Sequence, residues 1–324
     1  MRTISIVIPT YNEKDYLQLL LESIAQVNYP LDQYEVVVVS DGSTDGTPDL
    51  VRAKFPWVRL IDLKENVGRY KARKLGVEAA NYDYILFVDT RTLLDPDSLT
   101  AIDRSDHEAI KGLTVCGNPS NPYHIVFESI RYKLYPRFYR RRAETFEITA
   151  DNFDSAPKGT GVFMANKEIL LSTYEDLSSL KMGTISSDDT LLIRTLINNT
   201  PVAHHPGVKI IRFIRESFME NFLHLIYRGS TFVYNYLDPS KRLFWLVMVF
   251  PFLVLLALAA ALVFLPIPWY LVPIGLVLLD ALAAVYLGTS WRETWVIFLM
   301  IPVCVSAFYI GIIRGIFRRL FKVS

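Results

Sequence analysis

Hydrophobic positions along this chain follow two regimes. In roughly the first third, short β-branched runs alternate with stretches whose apolar residues recur every three or four positions. The runs ISIVIP (4–9), YEVVVVS (34–40) and YILFVD (84–89) leave no polar face, so they predict strands buried on both sides, as in a parallel sheet. The stretches between them predict helices with identifiable starts. Thr10 to Glu13 has capping-box spacing, and Thr47-Pro48 and Asp95-Pro96 set a cap residue before proline at the first helical position. Asn66 is expected to cap a helix from Val67 to Ala80. This alternation predicts an open α/β sheet with its ligand crevice at the carboxyl ends of the strands.

The second regime follows. Ile214, Phe218, Phe222, Leu225 and Ile226 share one helical face while Arg215, Glu220 and Arg228 lie elsewhere, the pattern of a helix on a bilayer surface or packed on the preceding domain. Leu243 to Leu265 is uncharged and long enough to span a bilayer. Trp269 to Leu287 is a second apolar segment, interrupted by Asp280, and Trp295 to Ile313 a third, with Pro302 inside it. The expected division is an α/β domain over 1–212, an amphipathic segment over 213–240, and a membrane domain of two or three helices over 241–324. Lys241 and Arg242 before the first segment, and Arg314, Arg318, Arg319 and Lys322 after the last, all favour the cytoplasmic side. Three full crossings conflict with that. The first two segments are therefore expected to form a crossing hairpin and the third to be re-entrant or interfacial, unless the charge rule is overridden. Asp280 is expected to face protein or a cavity rather than lipid.

Bulk composition alters this picture little. The 34 basic and 33 acidic residues leave a net charge of +1, which calls for no acidic partner. Cys116 and Cys304 have no metal-ligand spacing, so neither a disulfide framework nor a zinc site is expected. The five histidines also lack ligand spacing and read as structural or surface residues. The apolar run in MRTISIVIPTYNE is too short for a signal peptide, which leaves the α/β domain expected on the cytoplasmic side, as part of a multi-pass protein of the inner membrane.

Candidate chemistry collects at three strand ends: Pro9-Thr10-Tyr11-Asn12-Glu13, Ser40-Asp41-Gly42-Ser43-Thr44-Asp45-Gly46, and Asp89-Thr90-Arg91. Each alone is ordinary turn chemistry. Three converging on one crevice favour a site. Arg69 and Arg73, one turn apart near a helix start, suit a diphosphate, since guanidinium groups and unpaired backbone N–H groups both favour anions.

In order and spacing, IVIPTYNE, VVVSDGSTDGT, ENVGRYKARKLG and YILFVDTRT resemble the inverting family 2 glycosyltransferases of GT-A fold. The likeness continues more loosely through GTGVFMANKEIL (159–170) and SSDDTLLIRTL (186–196). The resemblance implies a nucleotide-diphospho-sugar donor, most often a UDP-sugar, and a divalent metal, Mg²⁺ or Mn²⁺. It implies that Pro9, Thr10, Tyr11, Glu13 and Asp41 surround the base and ribose, and that Arg69 and Arg73 lie near ribose or phosphate. Asp89 stands for the first acid of the metal-binding DxD, and Asp188 aligns best with the catalytic base, with Asp189 the alternative. The chain departs from the pattern in four places. Ser40, Arg91 and Ser187 each replace an acid, and the Q-x-x-R-W of processive synthases is absent.

Elementary chemistry agrees. An inverting transfer needs a carboxylate to take the acceptor proton while the diphosphate leaves from the opposite face. Asp188 and Asp189 open a helical pattern, where the helix dipole favours an ionised carboxylate. Arg91 cannot ligate a cation. It is expected to contact a phosphate or Asp89, leaving Asp89 to hold the metal with fewer protein ligands.

One further stretch stands out. RYKLYPRFYRRR (131–142) packs six basic residues and four aromatics into twelve positions. No nucleic-acid module surrounds it, so it reads either as a segment facing lipid headgroups or a lipid phosphate, or as a solvated helix. The leading expectation is a membrane-anchored transferase acting on a lipid-linked or membrane-proximal glycan. A processive polysaccharide synthase and a catalytically inactive nucleotide-binding scaffold are the alternatives.

Overall fold

A computed structural model of the chain describes residues 1–178, 188–236, 253 and 271–321. It forms two compact units, Met1–Pro119 with Leu134–Ile214, and Ser120–Lys133 with Arg215–Ser324.

The first unit is built on one mixed sheet in the order β3-β2-β1-β4-β8-β6-β9-β5, with β7 on β9. Its strands are β1 (Ile4–Thr10), β2 (Tyr34–Asp41), β3 (Arg59–Leu63), β4 (Tyr84–Val88), β5 (Thr92–Leu94), β6 (Ala109–Cys116), β7 (Phe146–Ile148), β8 (Val162–Asn166) and β9 (Val202–Arg212). β1, β2, β3 and β4 are mutually parallel, as the unbroken apolar runs require, with Thr10 in register with Ser40. β8 then runs antiparallel to β4, so the sheet is mixed beyond that point.

Strand alternation sends Ile4, Ile6 and Ile8 to one face, against Leu17, Leu20, Leu21 and Ile24 of α1 (Lys14–Ile24). Val7, Val37 and Val39 face the other way, toward Ala72 and Val77 of α3 (Arg69–Ala79). Each fully buried aliphatic contributes about 1.5–3 kcal/mol, so this two-sided core holds the strand ends rigidly. Gly76 lets α3 approach: a Cβ there would stand 2.3 Å from Val7 Cγ1.

Helix starts depart from the sequence expectation in a consistent way. α1 begins after Glu13, which makes no capping bond, and the Lys14 N–H is taken by Asp45 Oδ2 at 3.0 Å. α3 begins after Gly68 rather than Asn66, and the preceding N–H groups of Val67 and Gly68 are accepted by Asp41 at 2.7 and 3.0 Å. α2 (Thr47–Lys54) has Gly46 at its cap, with Asp45 accepting from Thr47. α4 (Ser98–Asp103) starts at Asp97, while Asp95 pairs with Lys209. At α1 and α3 acids from neighbouring loops thus take the place of local caps, a tertiary choice that local spacing does not encode.

The remaining helices of this unit are α6 (Pro136–Arg141), α7 (Lys167–Ser178) and α8 (Asp188–Ile197). α5 (Pro122–Leu134) belongs almost wholly to the second unit, together with α9 (Phe218–Tyr236), α10 (Leu271–Leu287) and α11 (Trp291–Phe321). α9 and α11 meet backbone to backbone. A Cβ on Gly229 would stand 2.1 Å from Phe308 O, one on Gly311 2.1 Å from Ile226 O, and Ser230 Oγ donates to Gly311 O at 2.9 Å. The G-x-x-x-G spacing of Gly311 and Gly315 makes this approach possible.

Two sequence expectations change here. Of the apolar face assigned to the amphipathic segment, Leu225 is buried within the unit and Phe218 is about half exposed, while Met219, Leu223 and Tyr227, outside that face, form an exposed row. The third apolar segment, expected to be re-entrant or interfacial, is uninterrupted. It lies in a continuous 31-residue helix through Pro302, of which Trp291–Arg318 is the one stretch among the described residues long and apolar enough to cross a membrane. α10 is shorter, and Asp280 Oδ1 in it is buried without a hydrogen-bond partner among the described residues. The segment 243–265 lies almost entirely outside them.

Candidate active site

The carboxyl ends of β1, β2 and β4 lie side by side, and their loops are laced together. Asn12, with φ 51°, donates its N–H to Ser43 Oγ at 3.1 Å and accepts from the Thr44 N–H at 2.8 Å. Thr90 Oγ1 donates to Pro9 O at 3.1 Å, tying the β4 end to β1. Tyr11 is half exposed at this mouth. Beneath it, the hydroxyls of Thr10 and Ser40 are buried on registered positions with no hydrogen-bond partner among the described residues. Such hydroxyls are normally completed by water or ligand. Asp41 lies beside them, with both carboxylate oxygens committed to the backbone at the entrance to α3.

The centre of the site is Arg73. Its side chain is 1% exposed, donates Nη2 to Asp89 Oδ1 at 3.0 Å and Nη1 to Asp189 Oδ1, and lies over the Phe87 ring. Asp189 also accepts from Thr160 Oγ1 and pairs with Arg69 Nη2 at 3.5 Å. Burial alone would raise the Asp189 pKa. The two guanidinium groups and the Thr160 hydroxyl outweigh burial and hold this carboxyl well below the usual range. Asp189 is therefore ionised but weakly basic, a fixed counter-ion rather than a free acceptor. Asp188 is the first residue of α8, and its side chain lies outside the described residues.

Among the described residues, none hydrogen-bonds the second oxygen of Asp89. Gly161 faces it, and a Cβ there would stand 3.2 Å from Asp89 Oδ2, so a side chain at that position would crowd the carboxylate. Among the described residues no group of three His, Cys, Asp or Glu is placed to hold a metal ion. The donor set fits a divalent ion held by one protein oxygen, with the remaining positions left to ligand and water oxygens.

Of the two partners expected for Arg91, a phosphate or Asp89, the second is not the one it takes. Its Nε donates to Glu13 Oε1 at 2.7 Å and its guanidinium stacks 4.3 Å from the Tyr16 ring centroid. Together with Asn12, Lys14, Asp15 and Asp45 these residues line an open cleft of about 280 Å³. The candidate residues thus form two groups, Arg69, Arg73, Asp89 and Asp189 in one, Glu13 and Arg91 in the other. Thr160, Gly161 and Tyr16 were not foreseen as site residues. The G-T-G run before β8 is the only local signal that marked the first two.

Residues 5–157 match the family model for glycosyl transferase family 2. Over 120 residues the chain is 30% identical to a poly-beta-1,6-N-acetyl-D-glucosamine synthase of Staphylococcus aureus (strain MSSA476), covering 36% of this chain and 28% of that protein. The enzyme of the same name from Staphylococcus epidermidis matches over 118 residues at 30% identity, with the same coverage of each chain. The match therefore spans little more than a quarter of the length of these relatives. Among solved structures, the mannosyltransferase PcManGT from Pyrobaculum calidifontis, in complex with GDP-Man and Mn²⁺, superposes with a TM-score of 0.60. The identity is 20%, over 97% of this chain and 87% of that one, which establishes a shared GT-A-like fold.

Proposed function

We propose that the chain is a glycosyl transferase of family 2, with a catalytic domain of GT-A-like fold, and that it moves a sugar from a nucleotide-diphospho-sugar to a lipid-linked or membrane-proximal glycan. The observation that carries this reading is the Asp89–Arg73–Asp189 cluster, which sets a carboxylate, one oxygen of which has no partner among the described residues, at the mouth of a crevice lined by the β1 and β2 loops. The relatives and the structural neighbour, whose printed names concern N-acetylglucosamine polymers and GDP-mannose, support a nucleotide-sugar donor without fixing which one.

In this reading the base and ribose lie against Pro9, Tyr11 and the orphaned hydroxyls of Thr10 and Ser40, beside the loop that Asp41 shapes. Arg69, about half exposed, receives the diphosphate, where its charge stabilises the leaving group. Arg73 is spent on holding Asp89 and Asp189 and does not reach the donor. Asp89 Oδ2 would hold a divalent ion together with diphosphate oxygens, and that ion would supply further charge neutralisation to the departing phosphate. Glu13 and Arg91 brace the β1 loop rather than touch the metal.

The acceptor hydroxyl loses its proton to Asp188. Two observations support this choice over Asp189: Asp188 opens α8, where the helix dipole favours the ionised form, and Asp189 already accepts hydrogen bonds from Thr160 and Arg73.

Membrane attachment rests on α11. Arg314, Arg318 and Arg319 in the last turns of α11 and Lys322 just after it favour the cytoplasmic side for that end, and Lys241 and Arg242 favour the same side for the catalytic domain that precedes them. α10, at roughly 26 Å of helix, falls short of the ~30 Å hydrocarbon core.

The test is a panel of nucleotide sugars and free nucleoside diphosphates, scored by thermal stabilisation of the purified protein with and without Mn²⁺. One nucleotide class is expected to stand out. A flat panel would remove the proposal. A polymerising synthase is the second reading, favoured by the names of the relatives, and long product from a single donor would establish it.

A further inference from the structure

The basic stretch found in the sequence has no role in the site just described. Of its five arginines, Arg137, Arg140, Arg141 and Arg142 are exposed; no carboxylate interrupts residues 134–142, and the next acid along the chain, Glu144, pairs with Arg141 at 3.1 Å. Arg137, Arg140 and Arg141 sit at i, i+3 and i+4 on α6, whose opposite side is anchored by the buried Phe138. Leu134, 63% exposed, stands just ahead of them. Three rings of this region are covered by cations, Arg142 over Tyr139, Arg141 over Phe146 and Lys158 over Tyr135, which leaves Tyr132 as the one exposed ring of the stretch. Rings used in this way are not presented for stacking on bases, which weighs against a single-stranded nucleic acid. Guanidinium groups propped by rings and facing outward suit phosphate oxygens. The chain enters this stretch directly from residues 120–133, which fold with the unit that bears the membrane helix.

We propose that α6, with Leu134 and Arg137 to Arg142, is an electrostatic docking surface for anionic phospholipid headgroups, distinct from the donor site. This inference rests on the membrane anchoring proposed above. A helix that only inserts is indifferent to headgroup charge, whereas several arginines near an anionic leaflet gain attraction that salt screens.

The stretch reports on itself, because trypsin cleaves after arginine. The full chain is reconstituted in nanodiscs of phosphatidylcholine alone or mixed with phosphatidylglycerol, and cleavage between Arg137 and Arg142 is timed against cleavage at the exposed Lys54 and Arg104. Cleavage in the stretch is expected to slow by about tenfold or more in anionic discs, to recover in high salt, and to leave the control sites unchanged. The double variant Arg137→Gln/Arg140→Gln is expected to lose most of that protection at Arg141 and Arg142. Equal cleavage in both discs overturns the inference and leaves the anchoring intact. Protection by added RNA in phosphatidylcholine discs, with none from anionic lipid, overturns it in favour of nucleic acid. A chain that enters neither disc removes the anchoring and this inference together.

Discussion

Arg91 Nε donates to Glu13 Oε1 at 2.7 Å, joining the β4 end to the β1 loop across 78 positions of sequence. This pair is how a guanidinium is accommodated two residues after Asp89: its charge is met by Glu13 and its plane by Tyr16. Both partners are 19% exposed. Arg91→Ala and Glu13→Ala are each expected to destabilise the domain by about 1–3 kcal/mol, and the double variant by less than their sum. Denaturant unfolding of the four proteins measures the coupling. Donor affinity in Arg91→Ala should stay near wild type. A tenfold loss would show that Arg91 reaches the donor.

Arg73 is buried between two carboxylates, so its removal takes the ion pair from Asp89 and leaves Asp189 with only Arg69 and Thr160 among the described residues. Arg73→Met is expected to cost about 3–5 kcal/mol at neutral pH. The sign of its pH dependence follows from Asp189. That carboxyl is held below its unfolded value, so the stability it contributes is complete above pH ~4 and is lost as pH falls further. The gap in Tm between wild type and Arg73→Met should therefore narrow on acidification. A gap constant from pH 7 to strongly acid conditions would mean that the ion pairs contribute nothing.

The two neighbouring acids should separate cleanly. Asp188→Asn is expected to lower kcat by a factor of roughly a hundred or more with donor affinity nearly unchanged. Asp189→Asn should instead lower Tm, because it unhooks Arg73, Arg69 and Thr160. Turnover and melting curves of both variants decide this, and full turnover in Asp188→Asn would move the base elsewhere.

His204 has no exposure and lies 4.9 and 5.1 Å from the ring centroids of Phe138 and Phe146, with Nε2 at 2.9 Å from Arg142 O. Burial lowers its pKa, and Lys111 adds to that against the backbone bond. Its neutral form is thus the folded form, and stability should fall as pH drops below ~6.5, where the unfolded chain binds a proton more readily. His205 is shifted the same way, again by burial first. His204→Phe should therefore reduce, without abolishing, the slope of Tm between pH 7 and 5. An unchanged slope would exclude His204 as its source.

The buried parallel strands were legible because two-sided burial leaves no polar position in ISIVIP or VVVV, and the ordered motifs placed the crevice at their ends. The helix caps were not. Asp41 and Asp45 act across loops, and nothing local distinguishes them from turn residues. The direction of Arg91 was missed for a similar reason. Strand alternation would aim it with Asp89, but β4 ends at Val88 and β5 begins at Thr92, so no extended register connects the two. Thr160 was invisible because its partner, Asp189, lies 29 residues away. The third apolar segment was set below the other two by the charge rule alone. Neighbouring helices can re-satisfy the backbone that a proline frees, and here Pro302 sits inside a continuous helix.

The central claim is transfer from a nucleotide-diphospho-sugar at the Asp89 site, and the release of nucleoside diphosphate by purified protein in membrane-like discs tests it most directly. With the preferred donor, Mn²⁺ or Mg²⁺ and a lipid-linked acceptor fraction, release is expected in the wild type, to stop in chelator, and to vanish in Asp89→Ala while that variant stays folded. Undiminished release in Asp89→Ala, or none from the wild type with any donor, would contradict the account.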